Sequence, residues 1–88
     1  MNSEEIQKFL NAQEASHETY IKIDFKTRDS LYGLFVKHAD YNYLKSKNFW
    51  RIVTQLHFNQ WRESGDMNLA KIFNGAEFSR LTWYKDSF

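Results

Sequence analysis

Residues 69–84, LAKIFNGAEFSRLTWY, decide the fold of this chain. Two short runs of apolar and β-favouring residues, Leu69 to Phe73 and Phe78 to Tyr84, flank Asn74-Gly75. An Asn-Gly pair between apolar runs is the strongest short-range signal for a tight turn between antiparallel strands, because both residues tolerate positive φ. The stretch therefore predicts two closing strands joined by a hairpin.

Upstream, a period of two recurs. Ile21, Ile23 and Phe25 alternate with Tyr20, Lys22, Asp24 and Lys26, which describes a half-buried strand over Thr19 to Lys26. Thr27-Arg28-Asp29-Ser30 suits a turn. A second strand then runs from Leu31 to His38, and Gly33 inside it predicts a bulge, a bend or a close backbone approach. Asp40 to Asn48 mixes polar, aromatic and basic residues and reads as a loop or a short irregular strand. Phe49 to Phe58 places Trp50, Ile52, Thr54, Leu56 and Phe58 on one parity and reads as a third strand. Helix over Asn48 to Glu63 stays open as the alternative. Arg62 to Asp66 is a turn, after which Met67 starts the closing pair.

Ahead of the strands, residues 2–15 describe a short amphipathic helix within an N-terminal segment 1–16. Asn2 or Ser3 can cap it, and Glu4 and Glu5 place negative charge in the first turn. Ile6, Phe9 and Leu10 share one face, with Gln13 continuing the stripe. So short a helix is marginal alone, and the expected role is a lid over one end of a barrel.

With 88 residues the chain is read as one domain, 1–88, with a barrel over 19–84. No Cys is present, which excludes disulfides, thiolate metal ligands and a Cys nucleophile. There is no Pro and there are only three Gly, so no linker divides the chain. Aromatics make up 18%, more than a minimal core requires, and some rings are expected at contact surfaces. A net charge of +1 argues against a surface coated in basic residues but permits a local basic patch. The N-terminal stretch has no basic n-region and no long apolar run, and no segment reaches the length of a membrane span. A soluble, cytoplasmic protein without membrane contact is expected.

Chemistry is sparse. His38 and Asp40 are two apart and His57 lies on another element, so no third metal ligand converges and no metal or other cofactor is expected. Neither a Gly-x-Ser-x-Gly elbow nor a Gly-rich phosphate loop occurs, and no enzyme is expected. The segment Asp40 to Lys47 is the better candidate site. Tyr41 and Tyr43 offer faces for stacked bases, Asn42 can bond a base edge, and Lys45 and Lys47 can neutralise phosphates. The alternative is that these tyrosines cover apolar surface or fill a subunit contact.

Two stretches resemble the signatures of the Sm-like family. Ile72 and Phe73 precede Asn74-Gly75, Phe78 follows Gly75 by three positions, and Leu81 follows by three more. Phe25 and Gly33 are eight apart, as in the other signature, and Asp40 follows one residue later than that pattern has it. Asn74 stands where the family usually carries Arg or Lys, and Arg28 lies near the place of its turn glycine. The chain thus resembles a divergent Sm-like protein; a narrower likeness, to those of marine phage type, is carried by no motif.

The resemblance implies a mainly β fold, an N-terminal helix followed by a small, strongly bent five-stranded antiparallel open barrel of Sm-like or SH3-like form. It implies a non-catalytic homo-oligomeric ring, closed by head-to-tail pairing of edge strands. Leu69, Ile72, Phe73, Phe78, Leu81 and Trp83, on strands read as apolar on both parities, would form the contact between copies. The ring would bind single-stranded nucleic acid, RNA ahead of DNA. Asp40, Tyr41, Asn42, Tyr43, Lys45 and Lys47 would form the site, with Asn74 and Gly75 closing the pocket. The alternative from another class is an SH3-like adaptor that binds protein through its aromatic surface.

Overall fold

A computed structural model of the chain describes residues 1–12 and 20–84. Helix α1, Ser3–Asn11, starts at Asn2, whose side chain accepts from the Glu5 N–H while the Glu5 carboxylate accepts from the Asn2 N–H. That reciprocal cap satisfies two amides the helix itself cannot. The expected continuation of the helix through Gln13 to residue 15 lies outside the described residues, as does Thr19.

Five strands follow: β1 (Tyr20–Phe25), β2 (Leu31–Phe35), β3 (Phe49–Thr54), β4 (Lys71–Asn74) and β5 (Phe78–Tyr84). They form one antiparallel sheet in the order β4-β3-β2-β1-β5. The sheet is open, with β4 and β5 as its edges, and the N-terminal helix with five antiparallel strands is the expected architecture. It is also curled. A flat sheet would separate β1 from β4 by about 14 Å, three strand spacings. Yet the Phe25 and Phe73 rings on those strands are 6.1 Å apart.

Alternation sorts the side chains onto two faces. Inside the curl, Ile21, Ile23, Phe25, Trp50, Ile52, Phe78 and Leu81 pack with Ile6 of α1. Ile6, Ile23, Ile52 and Phe78 are fully excluded from solvent. Phe9 of α1 stacks on Trp83 at 4.4 Å, so the helix covers one end of the barrel. On the outer face Tyr20, Leu34 and Val53 meet Phe58, whose ring stacks on Tyr20 at 4.4 Å. Gly33 permits close packing on the inner face, since a Cβ there would stand 2.5 Å from the Ile52 side chain. A register shift between Asp24 and Phe25 leaves Ser79 of β5 without a partner on β1, a bulge that adds twist where the chain enters β5.

Several expectations are corrected. Asn74-Gly75 does not turn a hairpin. Gly75–Glu77 is a short 3-10 helix, and it carries the chain from one edge strand to the other across the open side. Asn74 is extended, with φ −86°, and its side chain accepts from the Ala76 N–H. Asp40 to Asn48 is neither loop nor strand; it holds helix α2, Tyr41–Ser46. The third strand stops at Thr54 rather than Phe58, and the second at Phe35 rather than His38. Past Thr54 the chain coils through a 3-10 turn, Gln55–His57, into helix α3, Phe58–Ser64, so the helical alternative holds for the second half of that stretch. The reason is tertiary. Phe58 must reach the outer face to cover Tyr20, which a continued strand would forbid. Arg62 to Ser64 belong to α3, which Gly65 ends at φ +63°. Met67–Leu69 is a 3-10 turn, and β4 begins only at Lys71.

Candidate nucleic-acid interface

Helix α2 is too short to hold itself, and its neighbours fix it. Leu44 is buried beneath it. The Ser3 hydroxyl donates to the Lys45 carbonyl at 2.7 Å, tying α2 to α1. The Tyr41 hydroxyl donates to Gln7 Oε1 at 2.6 Å, and its ring meets Trp50 edge-on at 6.1 Å. Lys37 Nζ lies 5.0 Å from the centre of the same ring. Burial of the phenol raises the Tyr41 pKa above its ordinary value.

Just before the helix, both Asp40 carboxylate oxygens accept from Arg51 of β3, at 3.2 Å from Nε and 2.5 Å from Nη2. This bidentate bond holds the Asp40 carboxyl below the usual carboxylate range and raises the Arg51 guanidinium. Asp40 and Tyr41 thus fasten α2 to the barrel. The exposed part of the predicted site is Asn42, Tyr43 and Lys47, with Lys45 half-buried. Tyr43 is 66% exposed. Residues 37–51 carry four Lys or Arg against one Asp, a net +3, which leaves −2 for the rest of a chain whose total is +1.

Asn74 and Gly75 meet this segment through one residue. Asn48, in the left-handed region at φ +62°, accepts the Gly75 N–H at 2.8 Å. Its side chain also accepts from Trp50 Nε1 at 2.9 Å and donates to the Met1 carbonyl at 3.0 Å. Gly75 itself is buried, and the Met1 nitrogen donates to its carbonyl at 3.1 Å and to that of Phe78 at 2.7 Å. Gly75 therefore joins the α2 side of the barrel as backbone and presents no surface, while Asn74 is exposed.

The set predicted for contacts between copies divides likewise. Phe78 and Leu81 are core, Phe73 and Trp83 pack against it, and Leu69 is half-buried. Ile72 is half exposed, at 50%. On β5 the outward residues are Ser79, Arg80 and Thr82, so that strand is not apolar on both parities.

A cleft of about 520 Å³ opens along β4. All four residues of the strand line it, together with Arg28, Leu31, Thr54, Leu56 and Glu77. The sequence points only to Ile72, Phe73 and Asn74 among these. Leu56 is expected on a strand, whereas on its 3-10 turn it stands 84% exposed. The only local signal for that exposure is an aliphatic residue flanked by polar Gln55 and His57. Among the described residues, no three of His, Asp and Glu are grouped to hold a metal ion, and no helix is long and apolar enough to cross a membrane. No family model matches the chain, and neither a curated protein nor a solved structure matches it.

Proposed function

We propose that this chain is a non-catalytic, cytoplasmic protein that binds single-stranded nucleic acid, RNA ahead of DNA, as a homo-oligomeric ring. The observation that carries the reading is Tyr43, two-thirds exposed on a helix pinned at both ends, within a stretch of net charge +3. An aromatic face on a rigid support gives a base a stacking partner without an ordering cost, and nearby lysines take the phosphates. Asn42 adds a donor and an acceptor for a base edge.

The ring rests on the two free edges. Among the described residues β4 and β5 are the edges of one curled sheet and lie at its opposite ends, each with a strand neighbour on one side. Pairing β4 of one copy with β5 of the next is a head-to-tail contact, which closes into a ring when the rotation permits. Repeating α2 around an axis would gather Lys45 and Lys47 into a basic band.

Light scattering at micromolar concentration, followed by titration of fluorescein-labelled oligo(A), oligo(U) and oligo(dT) in low salt, tests both parts. A mass several times the 10.7 kDa of one chain, with saturable binding, is expected. A monomer that binds none of the three overturns the reading.

A further inference from the structure

The cleft along β4 is lined by no residue of α2. Its lining includes residues of both parities of the strand, Lys71 and Phe73 on one side and Ile72 and Asn74 on the other, so it follows the strand's edge. The edge groups of β4 that face away from β3 are oriented for another extended backbone. The cleft is also lined by Arg28 of the β1–β2 connection, Leu31 at the start of β2 and Glu77.

Side chains on this rim are specific in character. Leu56 is 84% exposed and Ile72 50%, and both line the cleft. Arg28 is exposed, with its guanidinium 4.9 Å from the centre of the Phe25 ring, and Lys71 is exposed on the strand itself. Glu77 is the one acid among the lining residues, which leaves the rim net positive.

We propose that the β4 edge takes an extended acidic peptide as a sixth strand, with an apolar side chain between Leu56 and Ile72 and a carboxylate facing Arg28 and Lys71. Backbone pairing supplies the affinity and the alternating side chains supply selectivity, as in other strand-addition complexes. The proposal goes beyond the ring reading and makes a link to it. A neighbouring copy and an acidic peptide would occupy the same edge, so the peptide competes with assembly of the ring.

The test titrates the ¹⁵N-labelled full chain with the synthetic peptide acetyl-TVEVDVT-amide and with its basic counterpart acetyl-TVKVKVT-amide. Mass is followed in parallel by light scattering. The acidic peptide should shift amides in residues 28–31, 54–56 and 71–74 and leave those of α2 in place. The basic peptide should bind at least about tenfold more weakly, through like-charge contact. Arg28→Glu with Lys71→Glu, both at exposed positions, should reverse that order. If the chain assembles, the acidic peptide should lower its mass; if it is monomeric, the amide shifts alone decide. Equal binding of the two peptides, or shifts absent from 71–74 in a monomer, overturns the proposal. So does an assembly whose mass and spectrum millimolar acidic peptide leaves unchanged. Loss of oligonucleotide binding alone bears only on the α2 reading.

Discussion

The Gly75 amide donates to the Asn48 carbonyl at 2.8 Å, and this bond joins the 3-10 turn between β4 and β5 to the end of α2. The approach leaves no room for a side chain. A Cβ on Gly75 would stand 2.3 Å from Asn48 Oδ1, 2.5 Å from Ile6 Cδ1 and 2.8 Å from Trp50 Nε1. Gly75→Ala should therefore push α1 off the barrel end and break the Asn48–Trp50 bond, costing about 1–3 kcal/mol through overpacking. Thermal unfolding followed by circular dichroism checks this, with a fall in Tm of about 4–8 °C for each kcal/mol expected in a chain of this size. A Tm equal to wild type would refute the packing account.

Gly65 supplies the contrast. Its φ of +63° favours glycine, but nothing lies within 4 Å of an added Cβ. Gly65→Ala should cost about 1 kcal/mol, from backbone conformation alone, and Gly65→Asn less, since Asn tolerates the left-handed region. A melting series ordered wild type, Gly65→Asn, Gly65→Ala, Gly75→Ala is expected. Gly65→Ala melting below Gly75→Ala would show that conformation outweighs packing here.

These two glycines also show how far the sequence could be read. Alternation over Ile21, Ile23 and Phe25, and the run of apolar residues from Phe78 to Tyr84, are local properties of their strands, and they place β1 and β5 to within a residue. Asn74-Gly75 misled because the same dipeptide serves two needs. Its glycine could give positive φ or could give space, and here it gives space to Ile6, a residue far away in the chain. No local signal reports that. Phe58 failed for a similar reason, since its parity on β3 is overruled by the demand to cover Tyr20. In the candidate site, the Asp40–Arg51 pair lies eleven positions apart and joins two elements, so sequence alone left Asp40 among the binding residues.

Acid should loosen the attachment of α2. The Asp40 carboxyl is held below its ordinary pKa by the hydrogen bond from Arg51, and Asp24 by bonds from Ser30 and Arg80 with Lys22 nearby. A depressed folded-state pKa means stability that is present above the unfolded value of about 3.9 and is lost as pH falls through the folded value. Tm should be level near neutrality and drop below about pH 4. Asp40→Asn should shrink the drop while lowering Tm slightly at pH 7, since the ion pair is only partly withdrawn from solvent. An acid limb identical in wild type and Asp40→Asn would remove Asp40 as a contributor.

The two tyrosines of α2 should separate binding from stability. Tyr41 is bonded to Gln7, packs on Trp50 and has Lys37 over its ring, so little of it is left for a base. Tyr41→Phe removes the hydroxyl alone and should lower Tm, by about 0.5–1.5 kcal/mol of lost hydrogen bonding, with oligonucleotide affinity nearly unchanged. Tyr43 is 66% exposed, and Tyr43→Ala should leave Tm within about 0.5 kcal/mol of wild type. If a base stacks there, the same change should weaken oligonucleotide binding by about 1–3 kcal/mol per base. Lys47→Ala should act differently again, weakening all sequences alike and lowering the slope of log affinity against log salt by about 0.7 for each phosphate no longer neutralised. Fluorescence anisotropy at several salt concentrations, beside melting curves of the same samples, reads all three. Should Tyr43→Ala bind as tightly as wild type while Tyr41→Phe loses binding, α2 would present its other face to the ligand and the assignment of Tyr43 as the platform would fall.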